Sequence, residues 1–242
     1  TEVARMAHNG SVTSVDFSSN GEFVVSGSRD NTARVWESMT GKDIARVTHD
    51  QSVLHVRFSP DSKYVLSDSS DFTARVWEAI TGIEVARTTH DRLITSAAFS
   101  SDGKLAITGS DNGTVHVWEI LPSAETARMV HDDTVYSVAF SPDGKLAASG
   151  GNDNIVKVIA VSSNSELYKT EFPGTVFSLK FSSDGRYLIA AGGTNLKLIE
   201  ALTGKELLDL SQTGNILSVD ISSDNKYIVS GNEESKVYVW SI

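Results

Sequence analysis

One stretch of this chain, from His8 to Trp36, is copied along nearly all the rest of it. It opens on His8-Asn9-Gly10 and runs through the apolar Val12–Phe17 into a Ser/Asn/Gly turn, Ser18–Gly21. A second apolar run closes on Ser26-Gly27, a polar turn holds Asp30, and Thr32-Ala33-Arg34-Val35-Trp36-Glu37 follows. Forty-one residues on, His49, Phe58, Ser67, Asp71 and Trp77 take the same places, and the hexapeptide TARVWE recurs unchanged at Thr73–Glu78. Phe17, Phe58, Phe99, Phe140, Phe181 and Ile221 form one column, and Trp36, Trp77, Trp118, Ile159, Ile199 and Trp240 another. The one short step falls at Gly192-Gly193-Thr194-Asn195, where a turn residue is missing. Six repeats fill the chain, and a period of this length predicts stacked supersecondary units rather than one irregular fold.

The repeats span 8–47, 49–88, 90–129, 131–170, 172–210 and 212–242, the last completed by 1–6, within one domain covering 1–242. Each contains four short runs of β-formers bounded by Gly, Ser, Asn and Asp, in the first repeat Val12–Phe17, Glu22–Ser26, Thr32–Glu37 and Asp43–Val47. No helical periodicity extends over a useful length. A lone four-stranded sheet cannot bury both faces, whereas radially arranged copies cover one another. Glu2-Val3-Ala4-Arg5-Met6 matches the fourth runs Asp43–Val47, Glu84–Thr88 and Glu125–Met129, and the last repeat stops after its third run. The expectation is therefore an all-β, six-bladed ring closed by residues 2–6 pairing with 236–241, which removes an open edge.

His…Ser-Gly…Asp…Trp at this period, recurring in register, resembles the WD-repeat β-propeller family over the whole chain. The match departs in detail: Glu37, Glu78 and Glu119 follow Trp where the family usually has Asp, and Ala7, Thr48, Thr89 and Val130 precede His where it usually has Gly. The resemblance implies that His, Ser or Thr, Asp and Trp form a hydrogen-bonded chain within each blade. Two such tetrads are complete, His8–Ser26–Asp30–Trp36 and His49–Ser67–Asp71–Trp77. The third blade has His90, Thr108 and Trp118 with Asn112 at the Asp place; the fourth has His131, Ser149 and Asp153 with Ile159 for Trp. In the last two, Phe172 and Gln212 replace His, Ala191 replaces Ser, and Glu234 takes the sixth Asp place.

Ser, His and Asp together suggest a nucleophilic triad, but a triad has no reason to recur in several blades and always accompany a Trp. Histidines one blade apart are too distant to share a tetrahedral metal site, so neither a metal nor a cofactor is expected. His55 and His116 stay unassigned. Asn9-Gly10-Ser11 and Asn112-Gly113-Thr114 match the glycosylation pattern but read first as Asn-Gly turns. In each of the pairs Asp132-Asp133 and Glu233-Glu234 one member reads as a solvated turn residue, and Glu234 is the residue at the sixth Asp place.

With no Cys, disulfides and thiolate metal sites are excluded, and a net charge of −10 argues against nucleic acid and anionic membrane as partners. No apolar run reaches the roughly 20 residues that cross a bilayer as a helix. The first three repeats are close copies, which resembles the propellers attached to bacterial signalling NTPases, kinases and protease-like effectors. That resemblance implies a cytoplasmic, monomeric docking or sensor domain, non-catalytic, binding a protein or peptide. The alternative class is a propeller hydrolase or lyase with its site in the central funnel. By resemblance, the residue after each first strand's opening apolar residue faces the channel mouth: Thr13, Leu54, Thr95, Tyr136, Phe177 and Leu217. Tyr136, Phe177 and Leu217 then form an apolar arc with Leu54 further round, bordered by Arg29, Arg92, Asp132 and Asp133.

Overall fold

Strand and turn alternate from Val12 onward, and a computed structural model describes the whole chain, residues Thr1–Ile242. In the first blade β1 (Val12–Phe17), β2 (Phe23–Ser28), β3 (Thr32–Glu37) and β4 (Asp43–Thr48) form an antiparallel sheet in sequence order. Its β1–β2 turn is closed by one side chain: Ser18 Oγ receives the Phe23 N–H at 2.9 Å and donates to Asn20 Oδ1 at 2.7 Å. The same lock recurs as Ser59–Asp61, Ser100–Asp102, Ser141–Asp143, Ser182–Asp184 and Ser222–Asp224. Side-chain bonds of this kind mimic a backbone turn, which is why Ser, Asn and Asp recur between the apolar runs. The fifth blade's short step is a tighter hairpin, with Gly192 opposite Asn195 and only two residues between.

The core lies between blades rather than inside them. One cluster joins Val25, Ala33 and Val35 of the first blade to Val53, Val56 and Trp77 of the second. Four more clusters join blades two to three, three to four, four to five, and five to six. Each Val or Leu buried there contributes roughly 1.5–3 kcal/mol. Close approach explains the Gly column: a Cβ on Gly27 would lie 2.7 Å from Val53 Cγ1, and on Gly150 2.5 Å from Val176 Cγ1. Serine bridges the same junctions: Ser14, Ser96, Ser137 and Ser178 each accept an N–H from the next blade's first strand, that of Val56, Val138, Leu179 and Val219, at 3.1–3.3 Å.

The expected closure is not formed. The sixth sheet has three strands, Ile216–Ile221, Tyr227–Asn232 and Val237–Ser241, and residues 2–6 belong to no sheet. They lie instead along the first blade, with the Arg5 carbonyl where a Cβ on Gly41 would meet it at 3.0 Å; in the next repeat the Arg46 carbonyl stands 3.2 Å from the corresponding point at Gly82. Residues 2–6 thus hold the place of a preceding blade's outer strand, in the phase the sequence predicts, but the sixth blade does not reach them. Five core clusters serve six blades. The physical reason is curvature: identical ends fix the phase of closure, while the angle between neighbouring blades fixes how many are needed.

Candidate functional site

The His, Ser, Asp and Trp columns meet within the first two blades. His8 Nδ1 lies 3.0 Å from Asp30 Oδ2, its Nε2 lies 2.7 Å from Ser26 Oγ, and Trp36 Nε1 donates to the same Ser26 oxygen at 2.7 Å. His49, Asp71, Ser67 and Trp77 repeat this at 3.1, 2.9 and 3.1 Å. In each, the Asp also receives a backbone N–H from the residue after His and the hydroxyl of Thr32 or Thr73, at 2.6 Å. Burial pushes the Asp71 carboxyl up, but the bonds from Thr73 and the Asp50 N–H outweigh it and bring it to about 2. Burial drives His49 down to about 4, helped by the Arg75 charge, so this imidazole is neutral at pH 7.

Later blades dismantle the tetrad one member at a time. His90 meets Thr108 at 2.8 Å but turns its other nitrogen to Thr114, which donates to Asn112 at 2.7 Å, and the buried Trp118 indole N–H has no partner. His131 keeps Asp153 and Ser149, both at 2.8 Å, while Ile159 fills the Trp place. Strand register puts Ala190, opposite Lys197, at the fifth Ser place; Ala191, the residue predicted there, holds the Gly place. In the sixth blade Trp240 still donates to Ser230 at 3.2 Å, with Gln212 3.4 Å from that hydroxyl.

A column that sequence reasoning missed stands beside the tetrads. Arg75 in the third strand donates to Asp71 and to the Thr48 carbonyl, both at 3.1 Å. Lys157 bonds the Val130 carbonyl, and Lys197 donates to the Glu171 carbonyl at 3.0 Å while lying 5.1 Å over the Phe172 ring. His116 holds the same place in the third blade and stacks on His90, centroids 4.0 Å apart. The signal was a basic residue two places before the first five Trp positions, with Tyr238 at the sixth, hidden because Arg, His and Lys alternate there.

The predicted partner-binding column has an unexpected common feature. In every blade the register of the first two strands slips at this one residue: Thr13, Leu54, Thr95, Tyr136, Phe177 and Leu217 are all bulged out of the ladder. A bulged residue is unpaired and its side chain is re-aimed, so blade packing does not dictate its identity. Tyr136 and Phe177 come together, ring centroids 5.2 Å apart and tilted by 43°, and Tyr136 and Leu217 are exposed. The two threonines are committed elsewhere: Thr13 donates to the Val53 carbonyl at 2.7 Å and Thr95 to the Val135 carbonyl. Asp133 is tied down by Asn152 at 2.7 Å, and Asp132, Arg29 and Arg92 are exposed.

The unassigned His55 Nδ1 stands 3.0 Å from Asp68 Oδ2 across the second blade's first hairpin. Asp68 stands where other blades have Gly27, Gly109 and Gly150, and His55 where they have the bridging Ser. Burial pushes the Asp68 carboxyl up, and the hydrogen bond to Asp68 raises His55. Elsewhere no group of three His, Asp or Glu side chains is placed to hold a metal ion.

The family model described as "WD domain, G-beta repeat" matches this chain six times, over 2–37, 41–78, 84–119, 126–159, 166–200 and 204–241. No curated protein matches it. Among solved structures it is similar to a computationally designed protein, Ika8, at 27% identity and a TM-score of 0.87, covering 99% of this chain and 74% of that one.

Proposed function

This chain belongs to the WD domain, G-beta repeat family, and we propose that it is a non-catalytic scaffold that binds a protein or peptide on the bulged column of its first strands. Members of the family are typically protein-interaction scaffolds and usually non-catalytic, which supports the reading. The observation that carries it is the bulge itself. It frees one side chain per blade from the ladder, and in neighbouring blades those side chains are Tyr136 and Phe177, in contact at 5.2 Å. Leu217 extends the arc into the sixth blade and Leu54 adds a fourth apolar point. Aromatic anchors of this kind carry hot-spot energy. The exposed Asp132, Arg29 and Arg92 offer charges at its border to a peptide backbone or side chains. We extend the proposal to a docking or sensor role beside a signalling effector in the bacterial cytoplasm.

The test is affinity capture from the native host followed by titration of the captured partner. Tyr136→Ala and Phe177→Ala should each weaken binding at least tenfold, a loss of about 1.4 kcal/mol. Their melting temperatures should stay within a few degrees of the parent, because neither residue lies in a core cluster. Normal binding by both variants would move the partner to another surface.

A further inference from the structure

The two ends of the array expose the side chains that every interior blade buries. Val15 is 65% exposed, whereas Val56, its counterpart one repeat on, is 2% exposed. Val12 and Phe17 are exposed beside Val15 on the outward side of β1. At the other end Val239 is 68% exposed, while Leu198, one repeat earlier, is 2% exposed. Val229 and Val237 are exposed with it, and a Cβ on Gly231 would meet nothing within 4 Å. The two faces are the two halves of a blade–blade interface that already occurs five times in this molecule. Their backbones are also complementary: Val237–Ser241 is an edge strand lacking the fourth strand, and residues 2–6 lie unpaired where a preceding blade's fourth strand belongs.

The size of the gap follows from the arc. Because 99% of this 242-residue chain superposes on 74% of the designed protein, that protein is longer by about 80 residues, the length of two repeats. The angle between successive blades here therefore suits a ring with two more blades than this chain supplies. A second copy does not fit that gap: it brings six blades, and its third would collide with the first blade of its partner. We propose that the end faces dock two further repeats of the same family, which bury Val12, Val15 and Phe17 on one side and Val229, Val237 and Val239 on the other. The fourth strand for Val237–Ser241 comes from the first added repeat, and residues 2–6 supply it for the last. Monomeric behaviour is then a property of the closed ring rather than of six repeats alone.

The experiment compares the 242-residue chain with one extended after Ile242 by a copy of residues 80–160, which continues the register through two repeats. The chain alone should bind an apolar fluorescent dye, self-associate with rising concentration in sedimentation, and exchange the amides of Val237–Ser241 rapidly. The extended chain should be monomeric, lose most dye binding, protect those amides, and melt at least about 10 °C higher, as expected when two stacking interfaces are added to a one-dimensional array. Protease trimming of the added repeats back to an unchanged core would overturn the proposal. So would a 242-residue chain that is monomeric, dye-negative and protected at Val237–Ser241, because six repeats would then close on themselves. A dye-negative dimer of that chain would assign the faces to a second copy and overturn it equally. If the extended chain does not fold, Val239→Glu in the 242-residue chain still decides: an unchanged melting temperature supports a free face, and a large fall means the face is already covered.

Discussion

Ser67 accepts the indole N–H of Trp77 at 3.1 Å with the same oxygen that stands 2.9 Å from His49 Nε2. One small hydroxyl thus ties the blade's second strand to its third and to the loop that enters the blade, in a place fully shielded from water. Replacing His49 by Ala leaves Ser67 and Asp71 short of a buried partner, which should cost on the order of 1–3 kcal/mol in a urea melt. Phe172, at the same place in the fifth blade, has no tetrad to support. Phe172→Ala should lose packing against Lys197 and the surrounding core, without the polar penalty. A His49→Ala protein of parental stability would remove the tetrad from the account of what holds the second blade.

The His55–Asp68 pair supplies a second expectation. Asp68 is nearly inaccessible, its hydrogen-bond partner across the hairpin is the half-exposed His55, and the Arg57 charge also acts on it. Removing one partner of a fully buried pair costs about 3–5 kcal/mol, and less here because solvent screens the half-exposed His55, whereas removing both in favour of residues that pack well is neutral or stabilising. His55→Ser alone should therefore destabilise, because it leaves the buried Asp68 without its hydrogen-bond partner. The double change His55→Ser with Asp68→Gly should recover parental stability or exceed it, because Ser and Gly are what three of the other four junctions carry, and the new hydroxyl can accept the Ala97 N–H. Additive losses in that cycle would show that the pair is not a coupled unit.

Much of this was readable in the residues. Period, strand phase, turn positions and the tetrads all follow from columns of identical or similar residues, since each is a local property of one repeat. Ring closure is not local. It depends on the angle between blades, which small differences in interface packing set, and Val15 and Val239 look no different in sequence from Val56 and Val76. The His55–Asp68 pair was half visible: it breaks the Ser column and the Gly column in the same blade, and only the register of Val53–Phe58 against Tyr64–Ser69 shows that the two breaks face each other. The bulge was invisible as such, although its column already varied while its neighbours repeat.

Acid should loosen the array in two steps. His49, brought to about 4, and His90, brought to about 3, both by burial, are neutral when folded and must accept a proton as pH falls. Their folded values lie below the ordinary 6.5, so the unfolded chain binds more protons between those limits, and their contribution is complete above pH 6.5 and is lost towards pH 4. Asp71, at about 2, adds a second loss between pH 3.8 and 2. His55, raised by Asp68, acts oppositely, its contribution being present below pH 6.5 and lost as pH rises through its higher folded value. His49→Gln, which copies the sixth blade's Gln212, should keep a bond to Ser67 and flatten the first step in melts taken from pH 7 to 4. An unchanged slope would mean that His49 charges without penalty.

Two glycines of one column meet opposite surroundings. Gly150 and Gly231 both follow the tetrad Ser, and both lie in the second strand of their blade. Around Gly150 the space is taken: a Cβ would stand 2.5 Å from Val176 Cγ1 and 3.2 Å from Leu179 Cδ2, on a first strand that is itself held by Ser137. Those atoms are buried branched side chains with no room to retreat, so Gly150→Ala should destabilise by about 1–3 kcal/mol, as overpacking does. Around Gly231 nothing lies within 4 Å, because the outer side of the sixth blade's sheet is uncovered. Gly231→Ala should therefore be neutral or slightly stabilising, since Ala loses less backbone entropy on folding than Gly. Both variants belong in the 242-residue chain, measured by urea denaturation under one set of conditions. Equal losses at the two positions would mean that Gly231 already packs against another blade, and the open end described here would have to close.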